Sequence, residues 1–178
     1  MTVAMGNRMR ALLRRSESEH DNLKKGRVLE DLVCYLFGCI PGMTMTLRNT
    51  LDAFRAGEID LAFFNDKHPD GLFFLDHIVI VECKNWSDPV GSDQLAVFDR
   101  KLQDRCVKEG IVIALNGITG DPNVLSSARN IIAGALREGR RIVVITREDI
   151  EQIQSTEHIV DLLKRKLLTL HARRADCA

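Results

Sequence analysis

The sequence predicts an α/β fold built on a central mixed β-sheet, and three observations carry that expectation. Ile78-Val79-Ile80-Val81 is an unbroken run of β-branched residues, the pattern of a strand buried on both faces. Two further strand-like segments precede it, the alternating Met43–Arg48 and the apolar Glu58–Asn65, with a connection between them and strong turn signals after the second, as in an antiparallel meander. After it, helical periodicity alternates with short apolar runs at 111–115 and 141–146. That alternation predicts helical crossovers between parallel strands.

Taken in order, residues 1–15 form a basic N-terminal arm, with Arg8, Arg10, Arg14 and Arg15 and no acidic residue before Glu17. The arm reads as a frayed terminus or short surface helix, or as a segment that touches DNA phosphate. Ser16 and Glu19 stand at capping-box spacing, so a helix is expected from there to about Gly38, with Leu29, Leu32, Val33 and Leu36 as its apolar stripe. Gly26 and Glu30 share a face of that helix, and a close backbone approach would account for the glycine. Pro41-Gly42 and the stretch from Asp66 to Gly71 are turns flanking the first and second strands, and Asn49–Gly57 connects those strands. The third strand lies within Leu72–Lys84. Trp86 reads as a core anchor or as a ring that stacks on a base or sugar. A helix is expected over Gly91–Glu109, capped near Ser92 or Asp93, with Leu95, Phe98, Leu102 and Cys106 buried. Asn116–Pro122 is glycine-rich but lacks the spacing of a nucleotide-binding loop. A helix over Asn123–Gly139, a strand over Arg141–Thr146 and one helix over 147–171 complete the chain.

One domain is expected across residues 1–178, with no internal repeat or linker. Lys+Arg and Asp+Glu both number 25, which argues against a uniformly basic nucleic-acid-binding surface but leaves room for a local basic groove. The five cysteines and five histidines are scattered, with no zinc or redox spacing. Free thiols in a reducing compartment, and so a cytoplasmic location, are expected. No apolar run reaches the length of a membrane span, and the N-terminus lacks a secretory apolar region.

The candidate site lies at the end of the central strand, in Glu82-Cys83-Lys84. Residues two apart in a strand share a face, so Glu82 and Lys84 point one way and Cys83 the other. Buried charges of this kind need partners or work. If the second strand pairs with the third, Asp60 stands beside Glu82. A cross-strand ion pair of Asp60 with Lys84 would leave Glu82 unexplained. Two carboxylates and a lysine together suit a hard divalent cation and a phosphate. Gln94 falls in the first turn of its helix, where backbone N–H groups favour an anion.

These residues carry a resemblance to the PD-(D/E)XK nucleases, and within them to the Mrr-like restriction endonuclease catalytic domain. The matching elements are Glu30 in Lys25–Glu30, Asp60 in Gly57–Asp60, the core Glu82–Trp86, and Gln94 in Gly91–Leu95, over roughly residues 18 to 150. Ile59 stands where the family pattern has proline. The resemblance implies a restriction-endonuclease-like three-layer α/β/α fold and Mg²⁺-dependent hydrolysis of DNA phosphodiesters, with Mn²⁺ able to substitute. Asp60, Glu82 and the Cys83 carbonyl would hold the metal, with Glu30 as an outer or second-metal carboxylate. Lys84 would serve the attacking water or the transition state, and Gln94 would orient Lys84 or meet the phosphate. A restriction or defence role is implied, with specificity from loops, a homodimer or a separate DNA-recognition subunit. A Holliday-junction or repair nuclease of the same fold, and a non-catalytic nucleic-acid-binding module, are the alternatives.

Overall fold

A computed structural model of the chain describes residues 2–51, 57–120 and 127–172. Its elements are α1 (Thr2–Ser18), α2 (Asn22–Gly38), β1 (Met43–Leu51), β2 (Glu58–Asn65), β3 (Ile78–Lys84), α3 (Ser92–Asp104), β4 (Glu109–Ala114), α4 (Ser127–Arg137), β5 (Arg141–Ile145), α5 (Arg147–Glu151) and α6 (Thr156–Ala172). The five strands form one sheet in the order β1-β2-β3-β4-β5. The first three are antiparallel, and β3-β4-β5 are parallel. This is the mixed sheet that the strand pattern predicts, and β2 spans the expected residues.

The alternation of side chains along each strand sorts the core into two layers. Leu61, Phe63, Val79, Val81, Ile111, Ile113 and Val143 pack with α1, α2 and α6 through residues such as Met9, Leu29, Leu32, Phe37, Ile159 and Leu163. Ala62, Ile80, Val112, Ala114 and Ile142 face α3 and α4 through Leu95, Phe98, Leu102, Ala128 and Ile132. The result is an α/β/α sandwich, the layering that the resemblance implies. The central position of β3 explains its continuous apolar run: both of its faces are covered.

One close contact sets where α3 lies. Gly110 on β4 has no side chain, and a Cβ there would fall 2.5 Å from Leu102 Cδ1 and 2.8 Å from Phe98 Cε1. The missing methyl lets α3 settle directly on β4 and bury both side chains, each contributing roughly 1.5–3 kcal/mol. It also brings the polar residues beside that stripe close to the end of β3.

Several local expectations are corrected. The basic arm is a helix: Met9, Leu13 and Ser16 lie on its buried side, and Arg10, Arg14 and Arg15 are exposed. Gly6, Met9, Leu13 and Ser16 are its buried positions, so the expected helix holds and the fray does not, and the helix is docked on the core rather than lying free on the surface. Ser16 therefore does not start the second helix, and its hydroxyl donates back to the Leu13 carbonyl. The cap of α2 is Asp21, whose carboxylate accepts from the N–H groups of Leu23 and Lys24. Gly26 has no heavy atom within 4 Å of a built Cβ, so no close approach accounts for it.

In α3 the N-cap is Gly91, not Ser92 or Asp93. The helix ends at Asp104, and Cys106 turns outward at φ 54° in the left-handed region, leaving Val107 to fill the core. The expected C-terminal helix is two helices. Thr146 accepts from the N–H of Asp149, and Asp149 reciprocates on the Thr146 N–H, so α5 has its own capping box and stops at Glu151. Of the expected helix over Asn123–Gly139, residues 123–126 lie outside the described residues, as do Arg173, Arg174 and Cys177. Among the described residues no helix is long and apolar enough to cross a membrane.

Candidate active site

The site is assembled where β2 and β3 end beside α3. Leu61 pairs with Val81 and Ala62 with Ile80 in the antiparallel ladder. One step further, Asp60 and Glu82 stand across from each other, on the face that Ala62 and Ile80 share with α3. The structure brings Asp60, Glu82 and Lys84 together there. Lys84 Nζ lies 2.8 Å from Glu82 Oε1, and Asp60 Oδ2 accepts the Cys83 backbone N–H at 2.7 Å.

A fourth charge completes the group. Lys101 on α3 donates to both oxygens of Glu82, at 3.0 and 2.8 Å. Glu82 is only 4% exposed and is neutralised from two elements at once. Sequence reasoning missed Lys101. The signal was its place on α3, next to buried Leu102 and seven residues after Gln94, so two turns along one helix face.

The balance is uneven between the two carboxylates. Burial, then the charge of Glu82, pushes the Asp60 carboxyl up from 3.8 to about 6, against the Cys83 N–H and the two lysines. Burial pulls the Lys84 ammonium down, but Glu82 and then Asp60 outweigh it, and its pKa is raised. Lys84 is therefore a charged donor at neutral pH. The Cys83 thiol points to the α2 layer, where burial, then Asp60 and Glu30, push its pKa up; it is not a nucleophile.

The other expected residues make their hydrogen bonds outside this group. Glu30, 8% exposed, projects from α2 and accepts from Arg48 Nε and Asn49 Nδ2, each at 2.9 Å. These partners come from β1, and Glu30 makes its bonds there rather than with Asp60 or Glu82. Gln94 caps its own helix, its Oε1 accepting the Gly91 N–H at 3.1 Å, and so is turned to the backbone rather than to Lys84. Trp86 is not a core anchor: it is 42% exposed, and Lys84 Nζ sits over its ring, 5.1 Å from the centroid. Asn85 between them donates to the carbonyls of Ser16 and Lys25, tying the end of β3 to the α1–α2 elbow.

Among the described residues no group of three or more His, Cys, Asp and Glu side chains is arranged to hold a metal ion. Two adjacent carboxylates nevertheless suit Mg²⁺. This hard cation takes one or two protein carboxylates and completes its shell with water and substrate phosphate. The unequal state of Asp60, a carboxylate short of positive charge, fits such a ligand set.

A mixed sheet flanked on both faces, with Asp60, Glu82 and Lys84 at the ends of adjacent central strands, places the protein among the restriction-endonuclease-like folds. A family model described as restriction endonuclease, the Mrr-like catalytic domain, matches residues 25–153. The chain belongs to that family. The matched span starts inside α2 and ends just after α5, so α1 and α6 lie outside it. Comparison with curated proteins gives no match.

Proposed function

We propose that the protein is a Mg²⁺-dependent DNA endonuclease that hydrolyses phosphodiester bonds, with Mn²⁺ able to replace Mg²⁺. The observation that carries this reading is the convergence of Asp60, Glu82, Lys84 and Lys101 at the end of β3.

Asp60 and Glu82 would hold the metal, with the Cys83 carbonyl as a further oxygen. In an extended strand the N–H and C=O of one residue point to the same side. The Cys83 N–H reaches Asp60, so its carbonyl is directed to that side too. When bound, the cation supplies a water acidic enough to attack at neutral pH and a counter-charge for the phosphate. Lys84 offers a protonated Nζ beside Glu82, suited to orienting water and to neutralising charge that builds on the phosphoryl oxygens. Lys101 fixes the Glu82 carboxylate and adds a second positive charge. Glu30 acts from behind the strand by fixing β1 through Arg48 and Asn49, and Gln94 by fixing the start of α3.

The test is cleavage of supercoiled plasmid with Mg²⁺ or Mn²⁺ by the native protein and by Lys84→Ala. Metal-dependent nicking or linearisation that is lost in the variant supports the reading. Cleavage that survives the substitution overturns the role of Lys84. Absence of cleavage by the native protein on duplex, branched and single-stranded DNA alike overturns the enzyme.

A further inference from the structure

Trp86 is the only tryptophan of the chain, and it stands partly exposed two residues after Lys84. Large aromatic rings are ordinarily buried, and neither apolar cluster of the core includes this one. Its backbone is nonetheless held firmly. The Asn116 side chain, from the loop after β4, donates to the Trp86 carbonyl at 2.5 Å, and Asn85 is anchored to the α1–α2 elbow. A partly exposed indole on a firmly held backbone, outside both core clusters and beside a charged site, points to a partner beyond the core.

Its relation to the charges indicates the kind of partner. The Lys84 ammonium lies over the ring at 5.1 Å from its centroid and also contacts Glu82 at 2.8 Å. One cation thus links the aromatic ring to the carboxylate pair. A nucleotide whose phosphate lies at Lys84 would have its own or its neighbour's base within reach of the indole. Stacking requires an open base face. Inside a continuous duplex both faces of every base are covered by neighbours, whereas an unpaired, terminal or extrahelical base offers one.

We infer that Trp86 is a stacking platform for an unpaired nucleobase next to the scissile phosphate, and that the site takes DNA with a single-stranded or extrahelical nucleotide in preference to continuous duplex. The inference rests on the nuclease reading for the position of the phosphate. Trp86 acts as a specificity residue that touches the substrate.

Because the chain has one tryptophan, its intrinsic emission reports this residue alone. The full-length protein is titrated in EDTA, and again with Ca²⁺, with a short oligothymidylate, a blunt duplex, and the same duplex carrying one extrahelical thymidine. Binding is followed in parallel by anisotropy of end-labelled versions. The first and third probes are expected to quench the emission strongly and the blunt duplex weakly. Trp86→Tyr, which keeps a stacking ring, should bind oligothymidylate close to native strength. Trp86→Leu should bind about tenfold more weakly, with an unchanged circular dichroism spectrum. Equal quenching by all three probes, binding without quenching, equal binding by the Tyr and Leu variants, or no binding of any probe overturns the inference. Plasmid cleavage is scored separately. Cleavage without quenching would sink the stacking role and leave the nuclease standing, and quenching without cleavage would do the reverse.

Discussion

Asp60→Asn is expected to stabilise the metal-free protein at neutral pH, although the residue belongs to the proposed site. Its carboxyl is raised from 3.8 to about 6, chiefly by burial and then by Glu82. The folded protein therefore binds this proton more tightly than the unfolded chain does. Stability contributed by the group is present below about pH 4 and is lost as pH rises towards about 6. Above that range the ionised side chain costs the folded state about 3 kcal/mol, the free-energy equivalent of moving the pKa from 3.8 to about 6. Asparagine cannot ionise, and its Oδ1 can still accept the Cys83 N–H. Urea denaturation in EDTA at pH 4 and pH 8 gives the test, because other titrating groups cancel between native protein and variant at each pH. The two should be nearly equally stable at pH 4. At pH 8 the variant should be more stable by about 3 kcal/mol, or about 6–12 °C in Tm for a chain of this size. A gap that does not change with pH, or a variant less stable than native at pH 8, would refute the claim that Asp60 carries uncompensated charge.

Two further outcomes follow from the same contacts. Lys101→Met should destabilise by about 3 kcal/mol in urea melts, because it leaves the buried Glu82 carboxylate with Lys84 alone; a change under about 0.5 kcal/mol would mean that Lys84 suffices. Leu13→Ala should cost about 3 kcal/mol, as expected for a cavity in the α1 contact, while Arg14→Ala on the exposed side should change stability by under about 0.5 kcal/mol; equal small effects would return the segment to a frayed arm.

What was legible in the sequence was whatever depends on local periodicity. The run at Ile78–Val81 announced a central strand, and Glu58–Asn65 alternated well enough to fix both ends of β2. The period of 2 placed Glu82 and Lys84 on one face, and the expected pairing of the second strand with the third added Asp60. What could not be read there depended on partners distant in sequence. Glu30 was read in the correct helix, but its partners are set by β1, where the register shifts between Met45 and Leu47 and Asn49 adopts a left-handed φ of 47°. The register shift has no signature in Met43–Leu51, and Asn49 carries only the general tolerance of asparagine for a left-handed φ. The stripe of Met9, Leu13 and Ser16 has helical spacing, but the arginines between them drew the reading towards a solvated arm. The break after Glu151 was readable: Thr146 and Asp149 stand at capping-box spacing.

Lys101 shows how packing, and not local pattern, completes the charge arrangement. Glu82 lies almost wholly out of water, and one lysine on the same strand leaves one of its oxygens to be satisfied. The second cation comes from α3, and it reaches Glu82 because the helix lies close against β4. That closeness depends on Gly110, whose missing side chain admits Leu102 and Phe98. Gly110 on β4 thus makes room for the helix that carries Lys101 to Glu82 on β3. Two carboxylates and two ammoniums cancel in net charge, so burying them together costs less than burying any one alone. The cancellation is local to Glu82, however, and Asp60 is left with its carboxyl near 6. The site is neutral as a whole and deficient in positive charge at one atom pair. That is the place where a hard cation arriving with a phosphate would relieve the most electrostatic cost.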